Sequence, residues 1–272
     1  MTKRKSASGP AAAAAVAGNV GGLAVSLAIV VVWYAASFFT DAFNKQIQQA
    51  KRLPVTVTFV QFLSGGLWSS VILRGAKLRP FIPLRKDQAK PLLPIALCWY
   101  IGFLTTNLSL GRTAVSFTHA IKATEPVFLV VIATFFFHQT FSNQVWVSLI
   151  PICLGIVLVA LTELDFSTLG LVSAVTANCC FVLRSIFAKR ILQSKLVDNF
   201  NLFYYISWAA AILTAPLVVF MEGAQLVEGV RTGELVPLLG LIVMNGTLHY
   251  VYNQASMLLL ARVPALTHSI GR

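Results

Sequence analysis

Acidic side chains are scarce in this sequence: nine Asp and Glu stand in 272 residues against 21 Lys and Arg, and charged residues make up only 11%. Soluble domains carry about 25% charged residues, so a water-facing globular protein is excluded. With 57% hydrophobic residues, the chain reads as an all-α membrane protein. The shortage of acids also argues against a membrane enzyme acting on a lipid-linked phosphate, which would need an acidic metal motif. Glu125 is the one acid placed inside a helix near a candidate site. Cysteine is sparse as well: Cys98, Cys153, Cys179 and Cys180 all lie in apolar runs without metal-ligand spacing. Adjacent Cys179 and Cys180 would point to different helix faces, so the four read as small apolar fillers, not a disulfide framework. A nucleophile elbow and a glycine-rich phosphate loop are both missing. No enzymatic role, metal or cofactor is expected.

What is present is a succession of apolar runs, each near the ~20 residues needed to cross the hydrocarbon core. Helices are predicted at about 22–43, 53–74, 91–110, 114–137, 143–162, 166–188, 199–221 and 235–260, with a ninth beginning near 264. Pro54, Pro91, Pro94 and Pro237 fall in first turns, where a missing N–H is harmless. Pro126 falls inside the fourth helix and should kink it just after Lys122. The net charge of +12 could suit a nucleic acid, but these charges sit in short loops between apolar runs. The partner they imply is the bilayer, with no nucleic acid. With the N-terminus inside, Lys3, Arg4 and Lys5, the group from Arg74 to Lys90, then Lys189, Arg190, Lys195 and Arg262 face inward. The acidic turns Glu163/Asp165 and Glu222/Glu228/Glu234 then face outward, as a positive-inside bias requires. Residues 1–21, rich in Ala, Gly and Ser, read either as a transit-peptide remnant or as a disordered tail.

Function is concentrated in residues 103–126. Lys122 and Glu125 lie where a helix should be inside the bilayer, and a charged side chain there costs roughly 2.5–3.5 kcal/mol on insertion scales. Thr118, Lys122 and Glu125 are spaced i, i+4, i+7 on one helix face with His119 beside them, a set suited to an anionic, oxygen-rich ligand. The alternative is that Lys122 and Glu125 simply neutralise each other. Arg184 offers a planar fork for phosphate or carboxylate, or else snorkels from its helix end to the surface. His249, Tyr252 and Ser256 form a polar stripe on the eighth helix, with helix packing as the plain alternative for Tyr252. Finally, Leu110-Gly-Arg-Thr-Ala-Val-Ser-Phe-Thr-His-Ala-Ile121 recurs as Leu260-Ala-Arg-Val-Pro-Ala-Leu-Thr-His-Ser-Ile270. The copies open helices five apart, and an odd offset means opposite orientations, the signature of an inverted-topology repeat. The expected domains are the tail 1–21, a first five-helix repeat over 22–162 and an incomplete second repeat over 163–272.

These stretches resemble the plastid phosphate translocators of the drug/metabolite transporter superfamily. The matching motifs are Thr106-Asn-Leu-Ser-Leu-Gly, Val115-Ser-Phe-Thr-His-Ala-Ile-Lys-Ala-Thr-Glu-Pro126, Leu183-Arg-Ser-Ile-Phe-Ala-Lys-Arg190, Tyr252-Asn-Gln and Leu266-Thr-His-Ser-Ile-Gly271. The resemblance implies ten helices in two inverted halves, and strict exchange of inorganic phosphate for a phosphorylated C3–C6 metabolite across a plastid inner envelope. It implies that Lys122 holds the phosphate group with Thr106 as hydroxyl partner, that Arg184 contacts the rest of the organic anion, and that Tyr252 contacts substrate. Phe103 stands where triose-phosphate members have a histidine. The family also places a Lys-Arg pair beyond a Gly-Asn run, whereas Gly271 is followed here by Arg272, so the chain is expected to be C-terminally truncated and, as it stands, not to transport. Thr106-Asn-Leu-Ser-Leu-Gly-Arg and Leu259-Leu-Ala-Arg-Val favour the phosphoenolpyruvate type, while Phe181-Val-Leu-Arg-Ser-Ile-Phe-Ala-Lys-Arg favours the hexose-phosphate type. The alternative function is a nucleotide-sugar transporter of the same superfamily in Golgi or endoplasmic reticulum.

Overall fold

The computed structural model describes residues 10–162 and 167–262. The chain runs through α1 (Pro10–Ala50), α2 (Pro54–Ser70), α3 (Lys86–Ala89), α4 (Leu93–Leu110), α5 (Val115–Lys122), α6 (Glu125–Phe137), α7 (Asn143–Thr162), α8 (Thr168–Gln193), α9 (Asn199–Arg231) and α10 (Val236–Arg262). A π-helical turn, Val71–Gly75, extends α2, and a single 3-10 turn, Lys90–Leu92, leads into α4. No strand occurs among the described residues. Six spans are long and apolar enough to cross a membrane: Ala24–Ala50, Pro54–Gly75, Lys90–Leu110, Ser116–Phe137, Thr168–Gln193 and Asn199–Arg231. In α10 the apolar run is interrupted by Asn245, His249, Asn253, Gln254 and Ser256, all buried. The predicted ninth helix near 264 lies outside the described residues.

Eight predicted helices are found, with differences that matter for function. The described part of α1 begins at Pro10, inside the segment read as a tail, and continues to Ala50. Asp41, Asn44, Lys45 and Gln48 therefore lie within the helix, not at its end or in a loop. Its polar stretch after Thr40 has a helical repeat of its own, and that period, unlike hydropathy, does not stop at residue 43. Likewise α9 runs ten residues past the predicted boundary at 221, to Arg231, and carries Glu222 into the protein. The fourth predicted helix is two helices, α5 and α6.

Successive connections lie at alternate ends of the bundle. Pro80 and Ile82, after α2, bond to Asn201 and Tyr205 near the start of α9. At the opposite end, Arg52, Pro54, Gly111, Arg112 and Glu222 surround one recess. That alternation is what a chain crossing a bilayer with each helix must produce. The principal pairings are α1 with α10, α4 with α8, and α2 with α9. At the α4–α8 contact, small residues allow close approach: a Cβ on Gly102 would lie 2.9 Å from the Phe181 ring. The largest core cluster gathers Phe62, Trp99, Phe103, Phe181 and Phe203 from α2, α4, α8 and α9. At the recess end, the Glu222 carboxylate accepts from Val55 N–H (2.8 Å), Thr56 N–H (2.7 Å) and the Thr56 hydroxyl (2.6 Å), tying α9 to the first turn of α2.

Candidate functional site

The site begins with a proline. Pro126 has no N–H to continue the helix, and the chain responds with more than the predicted kink. α5 ends at Lys122, Ala123 and Thr124 form a turn, and α6 starts at Glu125 with Pro126 in its first turn. The Ile121 carbonyl released by the break accepts from Thr124 N–H at 3.0 Å, from the Thr124 hydroxyl and from the Asn178 amide of α8. Asn178 also donates to Thr124 Oγ1 at 2.8 Å. Polar backbone inside a membrane protein must be satisfied by such neighbours, and Asn178 supplies the partner. The break places the Lys122 ammonium on the last turn of α5, where the carbonyl end of the helix favours a cation. It also separates Lys122 from Glu125, so Thr118, Lys122 and Glu125 no longer share one continuous helical face.

A carboxylate that the sequence reading passed over faces this end. The Asp41 side chain of α1, 12% exposed, pairs with His119 Nε2 at 3.0 Å, and His119 is 43% exposed. Lys122 and His249 both lie within electrostatic reach of the same carboxylate. Asp41 and His119 open onto a cavity of about 400 Å³ between α1 and α5, lined also by Phe38, Ala42, Lys45, Gln46 and Ser116. Lys45 Nζ donates to the carbonyls of Leu110 and Thr113, both at 2.9 Å, which fixes the turn from α4 into α5.

Arg184 of α8 is fully buried, with its guanidinium carbon 4.9 Å from the Trp99 ring centroid and Nη2 3.4 Å from the Ser185 hydroxyl. It does not snorkel. Phe103 packs on the rings that hold this guanidinium and on His249: its ring centroid is 4.8 Å from Trp99, 4.9 Å from Phe181 and 4.5 Å from His249. The Tyr252 hydroxyl lies 3.5 Å from His249 Nδ1. Thus Phe103 and Tyr252 both touch His249, Arg184 lies against the Trp99 and Phe181 rings that Phe103 also packs on, and Lys122, His119 and His249 gather around Asp41. The two predicted threonines are turned elsewhere. Thr106 is buried and donates to its own helix at Gly102 O, 2.8 Å away. Thr118 sits in a buried hydroxyl cluster, 3.1 Å from both Ser109 and Thr113.

Beside the site runs a buried amide ladder that hydropathy alone did not reveal. Asn107 accepts from the Asn44 amide and donates to Thr58 Oγ1 and Gln61 Oε1. Gln61 donates to Asn245 Oδ1 at 2.9 Å, and Asn245 donates to Thr40 O at 2.8 Å. Four helices, α1, α2, α4 and α10, are thereby locked together around the centre. The sequence signal was the spacing Asp41, Asn44, Gln48 along α1, which a helix puts on one face. Chemically, the centre offers an ammonium, an imidazole and, held against aromatic rings, a guanidinium. Each can donate to an oxyanion, and Asp41 stands as the counter-charge.

The Triose-phosphate Transporter family profile matches residues 24–272. Phosphoenolpyruvate/phosphate translocator 3, chloroplastic, from Oryza sativa subsp. japonica is 34% identical over 249 residues, covering 90% of this chain and 63% of that protein. A triose phosphate/phosphate translocator, chloroplastic, from Brassica oleracea var. botrytis is 32% identical, covering 89% and 60%. Phosphoenolpyruvate/phosphate translocator 1, chloroplastic, from the same rice is 33% identical over 264 residues, covering 92% and 63%. The chain thus spans about three fifths of the length of these relatives. A crystal structure of a protein only 13% identical superposes with a TM-score of 0.51, covering 90% of this chain and 86% of that one. That likeness shows the fold alone.

Proposed function

Because this chain belongs to the Triose-phosphate Transporter family, we propose that it is a multi-pass carrier of a plastid inner envelope that exchanges inorganic phosphate for a phosphorylated C3–C6 metabolite. Phosphoenolpyruvate is the favoured metabolite, ahead of triose or hexose phosphate. The observation that carries the reading is Lys122, an ammonium set on the end of a broken helix, pinned through Asn178 and within electrostatic reach of Asp41. Arg184, buried against Trp99 and Phe181, serves the organic part of the anion, with Tyr252 as a further contact. Thr106, Thr118 and His119 are taken as the scaffold and rim of the same site. Interrupted helices with ion sites at their ends are the usual build of a carrier's centre.

The two inverted halves, 22–162 and 163–272, belong to the same proposal. Shifted by five crossings, the α1–α10 pairing becomes the α8–α4 pairing, and the α2–α9 pairing maps onto itself. Those are the pairings observed, and pseudo-two-fold symmetry would require them.

Coupling follows from charge. An empty centre holding Lys122 and Arg184 is costly to seal from water, because removing an ion from water costs several kcal/mol unless an opposite charge compensates. A bound phosphate or phosphate ester supplies that charge and favours the switch between sides. The test uses liposomes containing this chain joined to the sequence that follows the aligned segment in the rice phosphoenolpyruvate/phosphate translocator 3. Uptake of labelled phosphoenolpyruvate should require internal phosphate. Equal uptake into phosphate-free vesicles would contradict the exchange mechanism.

A further inference from the structure

A second recess lies at the end of the bundle where α1 stops and α2 begins, away from the Lys122 centre. It has a volume of about 220 Å³ and includes Gln48, Arg52, Gly111, Arg112, Glu222 and Gln225 in its lining. That volume is far above the ~10–15 Å³ that holds one water. Arg52 and Arg112 are exposed, so both side chains meet water at the rim. Deeper down, Gln48 is only 4% exposed, yet neither its amide nitrogen nor its amide oxygen has a hydrogen-bond partner. A buried primary amide with both ends unmet is expensive, because each unsatisfied group forfeits about 1–3 kcal/mol of desolvation. Gly111 lies beside it, with its Cβ position 3.9 Å from Gln48 Oε1, an ordinary contact distance. Among the described residues lining the recess the one carboxylate is already occupied, since Glu222 is held by the Val55 and Thr56 N–H groups and the Thr56 hydroxyl.

We propose that this recess is a second, peripheral binding site for a small phosphate-bearing anion, held by Arg52 and Arg112 at the rim and by the Gln48 amide at the base. Two guanidinium forks match the oxygens of a phosphate group. The Gln48 N–H donates to the same group while its carbonyl accepts from a hydroxyl or a protonated phosphate oxygen. Asp41, Asn44 and Gln48 follow one another at intervals of three and four residues along one face of α1, and Arg52 lies just past the end of that helix. The recess is therefore the upper landing of a polar stripe whose lower end is the Asp41–His119 pair. An anion caught at the mouth is concentrated where the carrier takes it up, a steering role that depends on the exchange reading; the binding itself does not.

Chemical protection tests it on the chain as it is, in neutral phosphatidylcholine nanodiscs. An arginine-selective dicarbonyl is reacted with and without inorganic phosphate, and modification is followed at each arginine by peptide mass spectrometry. At phosphate near nine times the dissociation constant, modification of Arg52 and Arg112 should slow roughly tenfold by mass action. Arg231, exposed at the same end, should be unaffected. Arg52→Gln should abolish the protection of Arg112, and Gln48→Leu should weaken it while leaving unprotected reactivity unchanged. Lys122→Ala should leave protection intact, whatever it does to transport. Three results would overturn the proposal: no difference between Arg112 and Arg231, protection that disappears with Lys122→Ala, or protection by phosphatidylglycerol nanodiscs without any by free phosphate. The last would assign the recess to a lipid headgroup.

Discussion

Glu222 offers a sharp test of how α9 is joined to α2. Its carboxylate is 4% exposed and accepts three hydrogen bonds from the first turn of α2, at 2.6–2.8 Å. Glu222→Ala removes the acceptor and leaves two backbone N–H groups, Val55 and Thr56, to find another, while the Thr56 hydroxyl can rotate. At about 1–3 kcal/mol for each buried donor left unmet, the loss is about 2–6 kcal/mol. Water entering from the adjoining recess can replace part of it, so about 2–4 kcal/mol is expected. Glu222→Gln keeps one accepting oxygen but presents an amide N–H₂ to a donor, for an intermediate loss of about 1–2 kcal/mol. Equilibrium unfolding in mixed micelles measures the total, and hydrogen exchange at Val55 and Thr56 reports the local opening. If Glu222→Ala stays within about 0.5 kcal/mol of the parent, as ordinary surface changes do, the α9–α2 tie is not what holds this end of the bundle.

Asp41→Asn removes the counter-charge facing Lys122 while keeping the side chain's size. One charge acting over roughly 8–12 Å at an effective dielectric near 20 is worth about 1–2 kcal/mol. Half-saturation for phosphate exchange should therefore fall about 5- to 30-fold, and a rise would show that Asp41 assists the anion. Phe103→His places a donor against His249 and the rings that hold Arg184. The ratio of phosphoenolpyruvate to triose-phosphate exchange should change while phosphate homoexchange persists, and an unchanged ratio would remove Phe103 from substrate selection.

The spans were legible because an apolar run of bilayer length is too long for most helices of a soluble core, and Lys122 stood out because charge inside such a run is costly. What stayed hidden has a common cause. Asn44 and Gln48 follow the point where hydropathy falls, so a boundary drawn at 43 left them outside the helix and left Asp41 at its last turn. What surrounds them comes from distant segments: Asn44 donates to Asn107 of α4 and Asp41 pairs with His119 of α5. Glu222 likewise read as one of a group of outer acids, because its partners are backbone N–H groups more than 160 residues away. The split at Ala123–Thr124 was half visible: Pro126 announced a disturbance, but only the Asn178 amide from α8 explains why it becomes a complete break. Thr118 shows the other side of this: helical spacing sets it one turn from Lys122 on α5, but spacing alone could not show that Ser109 and Thr113 engage its hydroxyl.

The central claim, that Lys122 holds the phosphate, is tested most directly by phosphate homoexchange in proteoliposomes of the chain joined to the rice relative's following sequence. Phosphate is common to every substrate of the proposed exchange, so Lys122→Ala should abolish homoexchange as well as every heteroexchange. Lys122→Arg should retain binding and lose most of the rate, because a planar fork cannot replace a compact ammonium without moving its neighbours. Homoexchange by Lys122→Ala at near the parental rate would contradict the account and leave Lys122 as a structural counter-ion to Asp41.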